Sequence, residues 1–264
     1  MKITVFTSNQ PRHIALIESL ASIADEVFAV QECNTVFPGK VDDFFKRSEV
    51  MQRYFSHVID AENETFGAPR FLPKNVSSIS LKLGDLNRLD MSCLAPALDS
   101  DYYIVFGSSY IKGDLIDFLV DKRAINIHMG LSPYYRGSSC NFWALYDGRP
   151  EYVGATIHLL SKGLDSGSML FHAIPTVELI DPFLLGMHAV KAAHRGLVKA
   201  IALGDILEME SVPQDKALEM RYTRNQDFTD EVALDYLENA PTANDVLLAL
   251  TQRNLDGLLN PYEF

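Results

Sequence analysis

Long apolar runs, paired cysteines and an excess of basic residues are all missing from this 264-residue chain. No stretch approaches the roughly 20 apolar residues that span a bilayer, which excludes a helical membrane protein. The start, Met1-Lys2-Ile3-Thr4-Val5-Phe6, has one positive charge and too short an apolar stretch for the core of a signal peptide. It reads as the first strand of a cytoplasmic protein with no membrane partner. Cysteine is limited to Cys33, Cys93 and Cys140, an odd number with no CxxC or Cys/His spacing. That argues against a disulfide framework and against a metal site. Lys and Arg number 23 against 35 Asp and Glu, a formal charge of −12. A protein that grips a long polyanion shows a basic surface, so nucleic acid is not an expected partner. One nucleotide diphosphate stays within reach of a few local cations or helix N-termini. The turn after the first strand lacks G-x-G-x-x-G, which speaks against a dinucleotide site.

What is present, 47% hydrophobic and 22% charged residues, describes a globular chain with one sizeable core and room for a small appendage. Residues 2–7 read as a strand, Ser8-Asn9-Gln10-Pro11 as a helix start, and 26–30 as a second strand, so the chain opens as a βαβ unit. A polar loop over 31–40 contains Phe37-Pro38-Gly39, and apolar spacing from Val41 predicts one long helix to about Ala61. Residues 76–83 suit a strand or a loop, and 84–94 a short helix. The apolar run 101–106 predicts a buried strand that stops at Gly107, ahead of a helix over 115–120. Pro175 marks the strand 171–176 as an edge or a strand end. Asp181-Pro182 starts a helix that Gly204 stops, and short helices begin near Thr229 and Thr242. No repeat or interdomain linker interrupts this order.

The chemistry gathers in residues 124–170. A short strand ends in Asn126-Ile127-His128, and period-2 alternation puts Asn126 and His128 on one side of it. A turn-rich loop, Gly130 to Gly137, follows. Residues 153–160 alternate again as a strand, and then comes the tight turn Gly163-Leu164-Asp165-Ser166-Gly167. An Asp there is well placed to face the first strand. An amide, an imidazole and a carboxylate form a usable set for acyl transfer to an amine: the amide N–H and imidazole meet a developing oxyanion, and the carboxylate orients the imidazole. Each also has a plainer reading. Asn126 can satisfy strand-edge backbone, His128 can be a hydrogen-bonded core histidine, and Asp165 can stabilise its own turn.

The whole string resembles the folate-dependent formyltransferases, a family that includes glycinamide ribonucleotide, methionyl-tRNA and sugar N-formyltransferases. The matching residues are Asn126-x-His128, then L-x-P-x-Y-R-G over 131–137, Gly154-x-Thr156-x-His158, and Leu164-Asp165-x-Gly167. The resemblance implies a Rossmann-like α/β fold, a mostly parallel twisted sheet with helices on both faces. It implies Asn126, His128 and Asp165 as catalytic triad and 10-formyltetrahydrofolate as formyl donor. The donor loop falls at Phe106, Gly107, Tyr110 and Ile111, with Gly163 and Leu164 opposite, although Lys112 stands where the family often has proline. After the histidine this chain has Gly130-Leu131-Ser132-Pro133 in place of the usual Ser-Leu-Leu-Pro, which bears on the acceptor.

On the acceptor side Gln10 and Arg12 are candidates for a substrate phosphate, although a solvated first-turn arginine is the plainer reading of Arg12. Tyr135 and Arg136 suit shaping the loop, and Trp143 with Phe142 either lines an acceptor pocket or fills core. Cys140, with no base beside it in the sequence, reads as packing, and His188 and His194 as structural or solvated. Domain organisation is expected as a catalytic domain over 1–204 with a helical C-terminal extension, 205–264, packed on it. With an acidic chain, no strand-rich tail of the kind methionyl-tRNA formyltransferases carry and no glycine-rich phosphate loop after the first strand, elimination favours a nucleotide-linked amino sugar as acceptor. Such sugars are formylated for bacterial surface polysaccharides such as the O-antigen of lipopolysaccharide. The alternatives are a glycinamide ribonucleotide formyltransferase, a 10-formyltetrahydrofolate hydrolase or a non-catalytic folate binder. By resemblance alone, a homodimer is expected.

Overall fold

The computed structural model of the chain describes residues 1–33 and 42–264. In chain order the elements are β1 (Lys2–Thr7), α1 (Pro11–Ala21), β2 (Glu26–Cys33), α2 (Asp42–Phe45), α3 (Glu49–Phe66), β3 (Val76–Lys82), β4 (Tyr102–Val105), α4 (Gly113–Asp121) and β5 (Ile125–His128). There follow β6 (Tyr135–Gly137), α5 (Cys140–Tyr146), β7 (Ala155–Leu159), β8 (Met169–Ile174), α6 (Pro182–Leu203), β9 (Arg221–Thr223), α7 (Asp230–Asn239), α8 (Ala243–Thr251) and β10 (Tyr262–Glu263).

One eight-stranded sheet runs in the order β10-β8-β7-β5-β4-β1-β2-β3. It is parallel from β3 to β5; β7 alone runs against its two neighbours, and β10 returns parallel to β8. The central strands are apolar on both sides because both faces are covered. Ile3 and Val5 of β1 pack with Leu16 and Ile17 of α1 and Leu197 and Ile201 of α6 on one face. Phe6, Tyr103 and Val105 pack with Leu115 and Leu119 of α4 on the other. A third cluster, rich in aromatics, joins Tyr54 of α3, Phe142 and Trp143 of α5, Leu185 of α6 and Tyr236 of α7.

Several elements differ from the sequence expectation. The long helix is two, because Ser48 caps a new start by accepting Met51 N–H at 3.2 Å. Residues 34–40 of the expected polar loop, and Val41, lie outside the described residues. Residues 76–82 are a strand, and the expected helix over 84–94 is instead two 3₁₀ segments, Leu86–Arg88 and Met91–Leu98. The strand around 171–176 starts at Met169 and ends before Pro175, with neighbours on both sides, so the proline closes an interior strand. The C-terminal segment is not only helical: β9 pairs with β6, and β10 extends the main sheet. Both short helices are capped as expected, Thr242 and Asp245 forming a reciprocal capping box. Among the described residues no helix is long and apolar enough to cross a membrane.

Candidate active site

Strands β4 and β5 run parallel, so their carboxyl ends open together, and antiparallel β7 lies alongside β5 with Asn126 opposite His158 and His128 opposite Thr156. That register accounts for the Gly154-x-Thr156-x-His158 string. Thr156 Oγ1 donates to Gly130 O at 2.6 Å and accepts Ser132 N–H at 2.8 Å, fixing the loop that leaves His128. His158 gives its Nδ1 hydrogen to Leu159 O at 2.8 Å, so Nε2, 2.9 Å from Asn126 Nδ2, is left to accept. The turn after β7 then brings Asp165 back over β5.

Asn126, His128 and Asp165 do meet. Asp165 Oδ2 lies 3.2 Å from His128 Nδ1, and Oδ1 accepts from Asn126 Nδ2 at 3.1 Å. Both amide hydrogens of Asn126 are thus committed to His158 and Asp165, and Oδ1 is the amide atom left without a protein partner among the described residues. This departs from the expectation that the amide N–H meets an oxyanion. Burial by itself pushes the His128 imidazolium down, but the Cys140 sulfur and the Asp165 carboxylate pull the other way and hold it well above the ordinary histidine value. Burial likewise disfavours the Asp165 carboxylate, and the pull of His128 overrides it, keeping the group well below the usual carboxylate range. Asp165 sits at φ 44°, a left-handed conformation uncommon outside glycine, and Gln214 Nε2 ties its turn by donating to Asp165 O at 2.8 Å and Gly167 O at 3.0 Å.

A cavity of about 270 Å³ opens on one side of the triad. Phe106, Gly107, Tyr110, Ile111, Gly163 and Leu164 all line it, together with Asn126, His128 and Asp165. Gly107 has φ 70°, and a Cβ there would run into His13, so the loop can turn here only without a side chain. The loop is fastened from behind. The fully buried Glu32 accepts Ser109 N–H at 2.6 Å, Ser109 Oγ at 3.0 Å and Gly84 N–H at 2.8 Å. Asn87 donates to Tyr110 O at 2.9 Å and accepts Lys112 N–H at 2.7 Å.

A second cavity, about 370 Å³, opens on the other side of His128 and Met129, which line both. Arg12 reaches it, with Tyr54, Phe142, Phe183, Met187 and Tyr236. Arg12 also pairs with the buried Glu62 at 2.9 Å and donates to Gln10, which is not in the wall. Of the other acceptor-side candidates, Tyr135 and Trp143 are 1% and 2% exposed and belong to the aromatic cluster, outside both cavity walls. Arg136 is turned to Glu219 at 2.9 Å. Helix α5 is buried nearly all round, so its apolar pattern did not show which side met the cavity; Asn141, Phe142 and Leu145 do. Cys140 does have a base beside it, with Sγ 3.5 Å from His128 Nε2. His194 is buried and His188 meets Glu178 at 2.7 Å.

The formyl transferase family model matches residues 90–201, the segment that holds β4, β5, the Asn126-His128 strand end and the Asp165 turn. Over those residues the chain is similar to that family. Among curated proteins, a methionyl-tRNA formyltransferase of Trichormus variabilis is 30% identical over 130 residues, 46% of this chain and 36% of that protein. One of a Synechococcus species is 29% identical over 168 residues, 61% of this chain and 50% of that protein. The chain therefore spans a third to a half of the length of these relatives. Its fold is that of a formyltransferase from Anoxybacillus kamchatkensis, solved with UDP-4,6-dideoxy-4-formamido-L-AltNAc and tetrahydrofolate, at TM-score 0.52, 19% identity, 95% of this chain and 100% of that one. A sugar N-formyltransferase from a Shewanella species superposes at TM-score 0.52 and 19% identity over 100% of this chain and 92% of the other.

Proposed function

We propose that this protein transfers a formyl group from 10-formyltetrahydrofolate to the primary amine of a nucleotide-linked amino sugar. The observation that carries the reading is that His128 lies in the walls of both cavities, so that a donor in one and an acceptor in the other meet at one imidazole. The donor cavity fits a flat heterocycle: its walls are Phe106, Ile111, Ile116 and Leu160 with the backbone of the Gly107 turn, an apolar slot edged by peptide groups. Bound there, 10-formyltetrahydrofolate supplies the electrophilic formyl carbon and departs as tetrahydrofolate.

His128, kept protonated by Asp165, faces the negative charge that develops on the formyl oxygen. Asp165 keeps the ring oriented through Nδ1 and fixes the Asn126 amide, whose free Oδ1 accepts an N–H hydrogen at the reacting nitrogens. The new carbon–nitrogen bond forms as the old one breaks; one proton leaves the attacking amine and one reaches the departing nitrogen. On the acceptor side the apolar and aromatic wall suits a deoxygenated sugar, and Arg12 offers a cation to a phosphate. The acidic chain and the amino-sugar product in the Anoxybacillus structure support this acceptor over tRNA.

The test is tetrahydrofolate release followed by absorbance, with dTDP-, GDP- and UDP-linked amino sugars, glycinamide ribonucleotide and methionyl-tRNA each offered as acceptor. Turnover well above the no-acceptor rate with one amino sugar is expected. Turnover only with glycinamide ribonucleotide or methionyl-tRNA overturns the acceptor assignment, and formate release with no amine marks a hydrolase.

A further inference from the structure

His128 is held from both of its nitrogens. Nδ1 meets Asp165 at 3.2 Å, and Nε2 meets Cys140 Sγ at 3.5 Å. Cys140 is 1% exposed and lines neither cavity, so its sulfur cannot reach a formyl carbon as a nucleophile. Its thiol hydrogen has a carbonyl to go to, Gly137 O at 3.4 Å, which leaves the sulfur lone pairs directed at the imidazole. A second feature bears on the same contact. Gly130 packs directly over it: a Cβ at position 130 would lie 2.5 Å from Cys140 Cβ and 2.8 Å from His128 Nε2. Only a residue with no side chain leaves the ring and the thiol in touch.

We propose that Cys140 is a positioning residue for the transfer, its sulfur holding the His128 ring at Nε2 while Asp165 holds it at Nδ1, with Gly130 as the gap that permits the contact. This rests on His128 being the group that meets the formyl oxygen. The arrangement serves both protonation states. The imidazolium shares Nε2–H between the sulfur, at 3.5 Å, and the formyl oxygen; when that proton passes to the departing nitrogen, the thiol swings from Gly137 O and donates to the bare Nε2 until the proton from the attacking amine restores it. The ring keeps its orientation while its proton comes and goes. The charged and titratable groups facing His128 are Asp165 from the turn after β7, His158 of β7 behind Asp165, Cys140 of α5, and Arg12 of α1 across the second cavity.

The experiment uses the whole chain with Cys140→Ala, Cys140→Ser and Gly130→Ala, each checked for folding by thermal melt. Formyl transfer is measured against pH, and the His128 ring nitrogens are titrated by NMR without substrates. Expected in Cys140→Ala is a kcat reduced about tenfold with KM values within about twofold, and an alkaline limb displaced to lower pH by half a unit or more. Gly130→Ala should move the limb the same way, and Cys140→Ser, which keeps a hydroxyl, should lie between. A Cys140→Ala profile that superposes on the wild type, with an unchanged His128 titration, overturns the proposal. Absent formyl transfer in the wild type, combined with a displaced His128 titration in Cys140→Ala, sinks the formyltransferase reading and leaves the Cys140–His128 contact standing.

Discussion

Asp165→Asn isolates what the carboxylate does, because it keeps the shape and removes the charge. The side chains of His128 and Asp165 are 5% and 22% exposed, so the pair works largely away from water. Removing one partner of a buried ion pair typically costs about 3–5 kcal/mol. If most of that loss appears where the formyl oxygen gains charge, kcat falls by a factor between about 10² and 10³. The amide substitution also leaves a geometric conflict. Asp165 accepts from both Asn126 Nδ2 and His128 Nδ1, and a carboxamide presents an NH₂ to one of them. KM values should move little, since Asp165 acts on His128 and Asn126 and not on substrate binding as such. The stability sign is also fixed. The depressed Asp165 contributes stability above the ordinary carboxylate value, lost as pH falls below it; the raised His128 contributes below the ordinary imidazole value, lost as pH climbs through its own. The variant should therefore melt below the wild type at neutral pH and approach it in strong acid. Tetrahydrofolate release with the best acceptor and melts followed from pH 7 into strong acid read both effects. A turnover within threefold of the wild type would refute the triad.

Glu32→Gln keeps the volume but cannot accept at every place where the carboxylate does, leaving at least one of the Ser109 or Gly84 N–H groups unpaired at a cost of about 1–3 kcal/mol. The donor loop then loosens: KM for the folate should rise about tenfold with kcat within about threefold, whereas a lower melting point with unchanged KM would make Glu32 purely structural. His172 accepts Leu259 N–H at Nδ1 and donates from Nε2 to Ser132 O, both at 2.8 Å. Burial, only partly offset by Ser132 O, lowers it to about 4, because a second ring proton would point at the Leu259 N–H. The unfolded chain binds that proton and the fold does not, so stability falls as pH drops from about 6.5 to about 4, by on the order of 3 kcal/mol. Urea unfolding at pH 7.5 and pH 5 should show a shallower loss in His172→Asn; an equal loss would remove His172 as the cause.

The meeting of Asn126, His128 and Asp165 was legible because it is written locally. Asn126 and His128 are two residues apart on one strand and Asp165 follows the partner strand, so strand periodicity and turn residues place them near one another, while their reading as a triad, like that of the loop at Gly107, came from the resemblance of the whole string. The acceptor half is assembled from α1, α3, α5, α6 and α7, whose contributions lie up to 224 residues apart between Arg12 and Tyr236 and share no local pattern. Trp143, which suited either an acceptor pocket or core, went to the core because α5 is enclosed on nearly every side and its spacing marks no free face, and Tyr135 of β6 is buried in the same aromatic cluster. Gln214 was invisible for the same reason: it acts through two backbone carbonyls of a turn nearly fifty residues earlier in the sequence.

Gly130 shows how a departure from a familiar pattern can be noticed in the sequence and still be misplaced. On the sequence it bore on the acceptor, since it replaces the serine usual after the histidine. In the fold the missing side chain points at Cys140 and His128 Nε2, which lie where any Cβ would be. The glycine and the cysteine, ten positions apart, therefore act at one contact. A β-carbon at 130 alone would crowd the imidazole, and a smaller residue at 140 alone would leave Nε2 without its protein partner. It follows that Gly130 carries information about the His128 imidazole. Under the proposed function the acceptor is read from the second cavity, where Arg12, Tyr54, Phe142, Phe183 and Tyr236 stand.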